Sequence, residues 1–457
     1  MRLADHAHPR GHIDTHLSHV EGQTLGHVRR GRGVIPLTWE EIEALELGRL
    51  EGAEPGTTIS AVLADSREAR SGALFVALNT GVHHVDDARA RGAATLVPQD
   101  QEAALAALAS LVRSRSDARV VAIVGSAGKT STKDVLGALC APHARTIWPD
   151  RSLNNEIGLP LTVCRLDPDT EILVTEMGMR GLGQIAELCA IARPDIAVVT
   201  HIGPEHLELV GTVERVAEAN SEAIAALPSG GTAVVPAHCT ALEPFLHRDD
   251  VELRRFDPSD VELTNGRARF DVDGQSVELA LPFTQRHHAT NALAALHAYA
   301  ALGLPLDRAA EGARDIALSP WRGQELPLPG GGFVVNDAYN ANPDAMRAAL
   351  LHLAERAGTR RRVAILGEMA ELGETSDGYH RAVGELAVEL GVHVIGVGEP
   401  ARAYGPAVWA PSREAAIEAA RGFLRPGDAV LVKASRAVGL EGIADEITKF
   451  ARAWSPS

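Results

Sequence analysis

Cysteine is scarce and unpatterned in this chain. Its four residues, Cys140, Cys164, Cys189 and Cys239, have no paired spacing suited to a zinc site or a disulfide framework. The expectation is a reduced, cytoplasmic setting. An excess of positive charge is also missing: 44 Lys and Arg stand against 60 Asp and Glu, a formal net charge of −16. That argues against nucleic acid or an anionic membrane as partner. No apolar run is long enough to cross a bilayer, so membrane insertion is not expected. The first residues lack the hydrophobic core of a signal peptide. What remains is ordinary globular material, 45% hydrophobic and 23% charged over 457 residues, enough for about three domains.

The most informative stretch is Val120–Thr132 (VVAIVGSAGKTST). A run rich in β-branched residues reads as a buried strand ending at Gly125. A glycine-containing loop then closes on Lys129-Thr130, and Lys133–Leu139 reads as a helix with Val135, Leu136 and Leu139 on its apolar side. Strand, loop and helix in this order make a phosphate cradle. The amides of Gly125, Ser126, Ala127, Gly128 and Ser131 and the helix N-terminus face an anion, Lys129 reaches the terminal phosphates, and the Thr130 hydroxyl can ligate Mg²⁺. The usual earlier glycine is replaced by Ile123, so the match is to a shorter GxxGK[ST] loop. The bland alternative is a glycine turn followed by a chance Lys-Thr.

Residues 1–33 differ in texture from the rest. They carry His6, His8, His12, His16, His19 and His27 with little apolar periodicity. Three readings are open: a disordered tail, a metal-binding tract, or a translation start that really lies at Val34. Beyond it, Thr38 and Glu41 form a helix-capping box. Residues 34–117 read as a small α/β domain with strands at Ile59–Leu63, Ala73–Leu78 and Ala94–Val97, a polar turn at Asp65–Arg67, and helices at Val85–Gly92 and Ala103–Leu111. Residues 118–317 alternate strand and helix, with strands at Val120–Val124, Ile172–Thr175, Ile196–Thr200 and Thr232–Val235. That pattern predicts a mainly parallel sheet with right-handed crossovers. Arg286–Asn291 then opens an alanine-rich helix, Ala292–Leu302. Residues 318–457 form a third α/β unit, in which Gly330–Gly332 is a hairpin turn and Phe333–Val335, Val363–Leu366, Val392–Val397 and Ala429–Val432 are strands. This last unit lacks a GxGxxG opening, so a dinucleotide site there has little support.

Functional groups on parallel sheets gather at the carboxyl ends of the strands. Glu176 follows the second strand of the central unit and becomes a candidate Mg²⁺ ligand beside Thr130. His201–His206 follows the third, and His206 is a candidate ligand for a second ion, although a loop histidine is more often structural. Divalent ions bridging phosphates stabilise the charge that moves during phosphoryl transfer.

Taken with further stretches, the chain from about residue 34 onward resembles the Mur ligase family. The resemblance rests on Gly125–Ser131 (GSAGKTS), Leu153–Leu161 (LNNEIGLPL), Thr175–Gly178 (TEMG), His287 with Asn291, and Trp321-Arg322. Asn336–Pro343 (NDAYNANP), Leu366–Gly373 (LGEMAELG) and Val432–Arg436 (VKASR) complete the set. It implies a three-domain α/β architecture: a small N-terminal domain of UDP-sugar type, a central ATP-binding domain with a parallel sheet, and a Rossmann-like C-terminal ligase domain. It implies that Lys129 and the loop amides hold ATP, with Thr130 and Glu176 on one Mg²⁺ and His206 on another. Asn155 and Asn291 would lie near the nucleotide, Arg322 and Asp337 would reach it from the third domain, and Ser66, Arg67, Asn340 and Asn342 would serve the substrates. The implied reaction phosphorylates a substrate carboxylate to an acyl phosphate, which an amine attacks to form an amide with release of ADP and phosphate. The expected carboxylate and amine are UDP-MurNAc-tripeptide and D-Ala-D-Ala, in peptidoglycan synthesis, and the expected state is a monomer.

Three departures from the family pattern stand out. Asn220, within Ala217–Glu222, occupies the position of a lysine that the family carbamylates to support the second metal; an amide forms no carbamate, though its oxygen could act as a weaker, neutral ligand. Asn79–His84 replaces a longer loop containing Asp-Gly-His that acts around the UDP-sugar. His288 stands where asparagine is usual. These departures leave open a ligase of the same chemistry recruited to another carboxylate and amine in specialised metabolism, or a nucleotide-binding homologue that has lost activity.

Overall fold

The computed structural model describes residues 34–454, and the readings made for the His-rich stretch 1–33 lie outside the described residues. At its centre is a six-stranded sheet in the order Glu252–Phe256, Thr232–Pro236, Ile196–Val199, Arg119–Val124, Ile172–Glu176, Thr146–Ile147, with every pairing parallel. The phosphate-loop strand, Arg119–Val124, is buried on both faces. Val120, Ala122 and Val124 face one core, and Val121 and Ile123 the other, which is why its sequence is continuously apolar. The chain leaves this strand toward one sheet edge and later resumes on its other side. That reversal opens a crevice at the strands' carboxyl ends.

One face of the sheet is covered by helices Lys129–Cys140 and Arg286–Ala301. The other shares a core with the N-terminal unit, whose helix Gln101–Arg113 packs on Gly158–Val163 and Gln184–Ala192. The N-terminal sheet runs Gly48–Glu51, Ala94–Pro98, Ala73–Val76, Ala61–Leu63, antiparallel at its first edge and otherwise parallel. The C-terminal sheet runs Gln324–Leu328, Gly332–Asn336, Ala429–Lys433, Arg362–Leu366, Val392–Val397, Val408–Ala410. Only its first pairing is antiparallel, the hairpin turned at Pro329–Gly331.

Several expectations shift. The phosphate-loop helix starts at Lys129, not Lys133, because Gly128 caps it in the left-handed region. Ile59–Leu63 is not one strand: Thr58–Ile59 pairs with Leu37–Thr38, and after Ser60 the chain joins a different sheet at Ala61–Leu63. A three-stranded antiparallel meander, Val261–Thr264, Arg267–Val272 and Gln275–Ala280, was not anticipated. Its signal is clear in retrospect, since Ala268, Phe270 and Val272 alternate with exposed polar residues. Its two turns are Asn265-Gly266 and Asp273-Gly274, all four residues at positive φ. The Thr38–Glu41 capping box forms as expected.

The central and C-terminal units are joined through a linker pinned to the phosphate-loop helix. Asp134, beside the fully buried Lys133 at 2.7 Å, accepts the Ser319 amide at 2.7 Å. Burial pushes the Asp134 carboxyl upward, against the pull of Lys133. Replacing Asp134 with alanine leaves the buried Lys133 ammonium with only the Pro149 and Arg151 carbonyls and no counter-charge, and takes the acceptor from the Ser319 amide. We expect Asp134→Ala to cost about 3–5 kcal/mol, read as a lowered Tm and denaturation midpoint; a loss below about 1 kcal/mol would mean the pair is solvated.

Candidate active site

The loop from Gly125 to Lys129 is held from every side. Gly125 (φ +126°) and Gly128 (φ +87°) adopt conformations that other residues avoid. A methyl group at Gly125 would strike Thr200 Oγ1, and one at Gly128 would strike the Asn291 carboxamide. The Gly125 amide donates to Asn220 Oδ1 at 2.7 Å, and Thr200 Oγ1 lies 2.6 Å from the Ala127 carbonyl. Ser126 donates from its amide to the His201 carbonyl at 2.7 Å, and its hydroxyl pairs with Gly203 at 3.0 Å. From the C-terminal unit, Asn342 Nδ2 donates to the Ser126 carbonyl at 3.2 Å. The Lys129 ammonium turns back to the Gly125 carbonyl and lies 3.5 Å from Glu205.

Beside the loop sits a cluster of oxygen donors. Glu176, at the end of its strand and 1% exposed, accepts hydrogen bonds from Thr130 Oγ1 at 2.8 Å, Asn154 Nδ2 at 2.8 Å and the Ser152 hydroxyl. Arg322, reaching from the linker, donates to Thr130 Oγ1 at 2.6 Å and stacks on Tyr339 with its guanidinium 4.0 Å from the ring centre. A hydroxyl and a carboxylate at hydrogen-bond distance, next to amides arranged for phosphates, are the donors a hard divalent ion such as Mg²⁺ takes. These residues fit one such ion.

The second ion is a different matter. His206 sits at φ +51° and its Nδ1 pairs with Glu371 of the C-terminal unit, itself at φ +62°. That pairing holds the Glu371 carboxyl below its usual range. The other ring nitrogen lies 3.7 Å from Glu205. Asn220 spends its oxygen on Gly125 and its nitrogen on the Val216 carbonyl at 2.8 Å. Among the described residues, no three or more His, Cys, Asp or Glu are grouped to hold a metal ion. The second-metal residues therefore do not fit.

The other expected site residues divide. Asp337 pairs with Lys433 at 2.7 Å, and burial pushes the nearby His287 down to about 4, with Asp337 pulling the other way, so that imidazole is neutral at pH 7. Asn155 caps Gly158 at 2.9 Å and Asn342 caps helix Pro343–Ala357, while Asn340 receives Lys433 on its backbone carbonyl at 2.8 Å. Ser66 and Arg67 lie in a short 3₁₀ turn of the N-terminal unit, with Arg67 Nε bound to Asp65 at 2.9 Å. Sequence reasoning missed Ser152, Asn154, Glu205, Glu371 and Lys433. Four of them sat unused in stretches already singled out: Asn154 next to Asn155, Glu205 within His201–His206, Glu371 within Leu366–Gly373, and Lys433 within Val432–Arg436.

A phosphate loop, a carboxylate–hydroxyl ion site and an arginine delivered by a third domain define a nucleotide-dependent enzyme built across domains. Comparison with known proteins narrows this. Residues 123–299 match the Mur ligase middle domain, and residues 322–436 the Mur ligase glutamate ligase domain. The UDP-N-acetylmuramoyl-tripeptide–D-alanyl-D-alanine ligase of Escherichia coli is 33% identical over 82% of this chain and 88% of its own. That of Mycobacterium tuberculosis is 36% identical over 76% of each. Among solved structures, MurF from Acinetobacter baumannii superposes with a TM-score of 0.78 at 26% identity, covering 91% of this chain and all of that one. MurF from Thermotoga maritima in complex with ADP gives 0.73 at 27%, covering 86% and 98%. The chain belongs to the Mur ligase family.

If Asn154 orients Glu176 for the ion, Asn154→Ala should weaken Mn²⁺ binding in the presence of nucleotide by roughly 10–100-fold, with little change in Tm. Isothermal titration would register this, and unchanged affinity would assign Asn154 to packing alone.

Proposed function

We propose that this protein is an ATP-dependent amide ligase that joins D-Ala-D-Ala to UDP-MurNAc-tripeptide, acting as a cytoplasmic monomer in peptidoglycan synthesis. The observation that carries the reading is the convergence of Lys129, Thr130, Glu176 and Arg322 at one phosphate loop. These four groups all belong to one chain, which supports the monomer reading. We take residues 34–117 as the unit for the UDP-sugar end, 118–317 as the ATPase unit and 318–457 as the ligase unit.

Contrary to the expectation for the whole loop, the amides of Gly125 and Ser126 are taken by Asn220 and the His201 carbonyl. The amides of Ala127 and Gly128 with Lys129 would therefore bind the β- and γ-phosphates of ATP, Lys129 leaving Gly125 and Glu205 as the anion arrives. Mg²⁺ held by Thr130 and Glu176 would neutralise phosphate charge during transfer. The substrate carboxylate attacks the γ-phosphorus, the bond to ADP breaks, and an acyl phosphate forms. Arg322, already hydrogen-bonded at Thr130, is placed to stabilise the charge on the transferring group. The amine then attacks the carbonyl carbon, phosphate leaves with the electron pair of the broken C–O bond, and the nitrogen gives up its extra proton to the departing phosphate as the amide forms. Contacts of the C-terminal unit, Asn342 to Ser126 and Glu371 to His206, would close the site and keep water from the acyl phosphate.

A second reading keeps the chemistry and changes the substrates. Asn79–His84 folds as a compact 3₁₀ turn with its first amide held by Gln101 at 3.1 Å, in place of the longer loop expected around a UDP-sugar. A coupled ADP-release assay across paired carboxylates and amines separates the two. Release that requires both UDP-MurNAc-tripeptide and D-Ala-D-Ala supports the first reading, and release only with other pairs supports the second. Lys129→Ala should abolish turnover with either pair, and no release with any pair from a preparation that binds ATP would mark an inactive homologue.

A further inference from the structure

We propose that Asn220 is a positioning residue that clamps the phosphate loop, and that this ligase carries one divalent-cation site, at Thr130 and Glu176, instead of two. The inference rests on the ligase reading. Asn220 lies in helix Val213–Ala225 and is 2% exposed. Pairing of Arg119–Val124 with Ile172–Glu176 ends at Ile123 and Glu176, while on the other side the backbone bonding passes over Gly125 to the Ser126 amide and His201 carbonyl. The Gly125 amide therefore has no strand partner and needs an acceptor. Asn220 Oδ1 supplies it at 2.7 Å, and Nδ2 anchors the same side chain to Val216 at 2.8 Å.

Both ends of the carboxamide are thus committed to protein. An ion drawn to this helix turn would have to compete with the Gly125 amide for a neutral oxygen, and removing that bond loosens the loop that binds phosphate. Asn220 also has no amine to combine with carbon dioxide. His206, the other residue expected on a second ion, is turned between Glu371 and Glu205. The disagreement with a two-ion site is therefore built into two positions on different elements.

The test is equilibrium dialysis of the full-length protein against Mn²⁺ and AMPPNP, measuring metal and nucleotide bound per chain. One Mn²⁺ per bound nucleotide is expected; two per nucleotide overturn the single-site inference. Failure to bind AMPPNP at all would bring down the ligase reading and this inference with it. Asn220→Leu, similar in volume but unable to accept a hydrogen bond, should weaken AMPPNP binding by about 10-fold beyond any change in Tm. A folded Asn220→Leu protein with unaltered AMPPNP affinity overturns the clamp. Should that variant fail to fold, the wild-type metal count still decides. ADP release by the wild type should be the same in carbon-dioxide-free buffer and with added bicarbonate; a loss restored by bicarbonate contradicts the proposal.

Discussion

A loop that binds phosphate must keep its backbone amides pointing inward and unpaired, and an unpaired buried amide is costly. Most of the site follows from that requirement. The groups of Gly125–Gly128 that do not face the anion are tied down: Gly125 by Asn220, Ala127 by Thr200, and Ser126 by His201, Gly203 and Asn342. The strands on either side of Arg119–Val124 supply Glu176 and the Thr200–His206 segment at the same sheet edge. Rigidity comes from the parallel sheet, whose two buried faces leave the loop strand no room to move.

The same loop is also where the domains meet. Arg322 and Asn342 reach it from beyond residue 318, and His201 bonds Asp344 at 2.9 Å. The linker contributes Trp321 at φ +61°, with Arg436 stacked 4.6 Å from its ring centre. Such conformations persist where surrounding contacts over-determine them. The state described is therefore a closed one, with the C-terminal unit supplying charge at the place where phosphate charge would develop.

Much of this was legible in the sequence, and the limits have physical causes. Val120–Val124 is continuously apolar because both its faces are buried, and the loop's glycines are required by positive φ, so strand and loop were plain. Lys129 was not assigned to the helix because a Gly128 cap carries no side-chain signal. The meander escaped because its alternating residues sit inside a region that otherwise reads as parallel α/β. Site residues brought in from distant stretches were hardest. Glu371 touches His206 across 165 positions of sequence, and nothing local to either residue announces the pairing. Asn220 was visible as a departure, but its role became legible only when Gly125 was seen to need an acceptor.

The central claim is that ATP is used to make an acyl phosphate from a carboxylate bound beside this loop. Turnover of a substrate carrying ¹⁸O at both carboxylate oxygens, with mass analysis of the phosphate released, addresses it directly. The account predicts one ¹⁸O in each inorganic phosphate formed with ADP. Phosphate free of the label, or AMP and pyrophosphate as products, would contradict it.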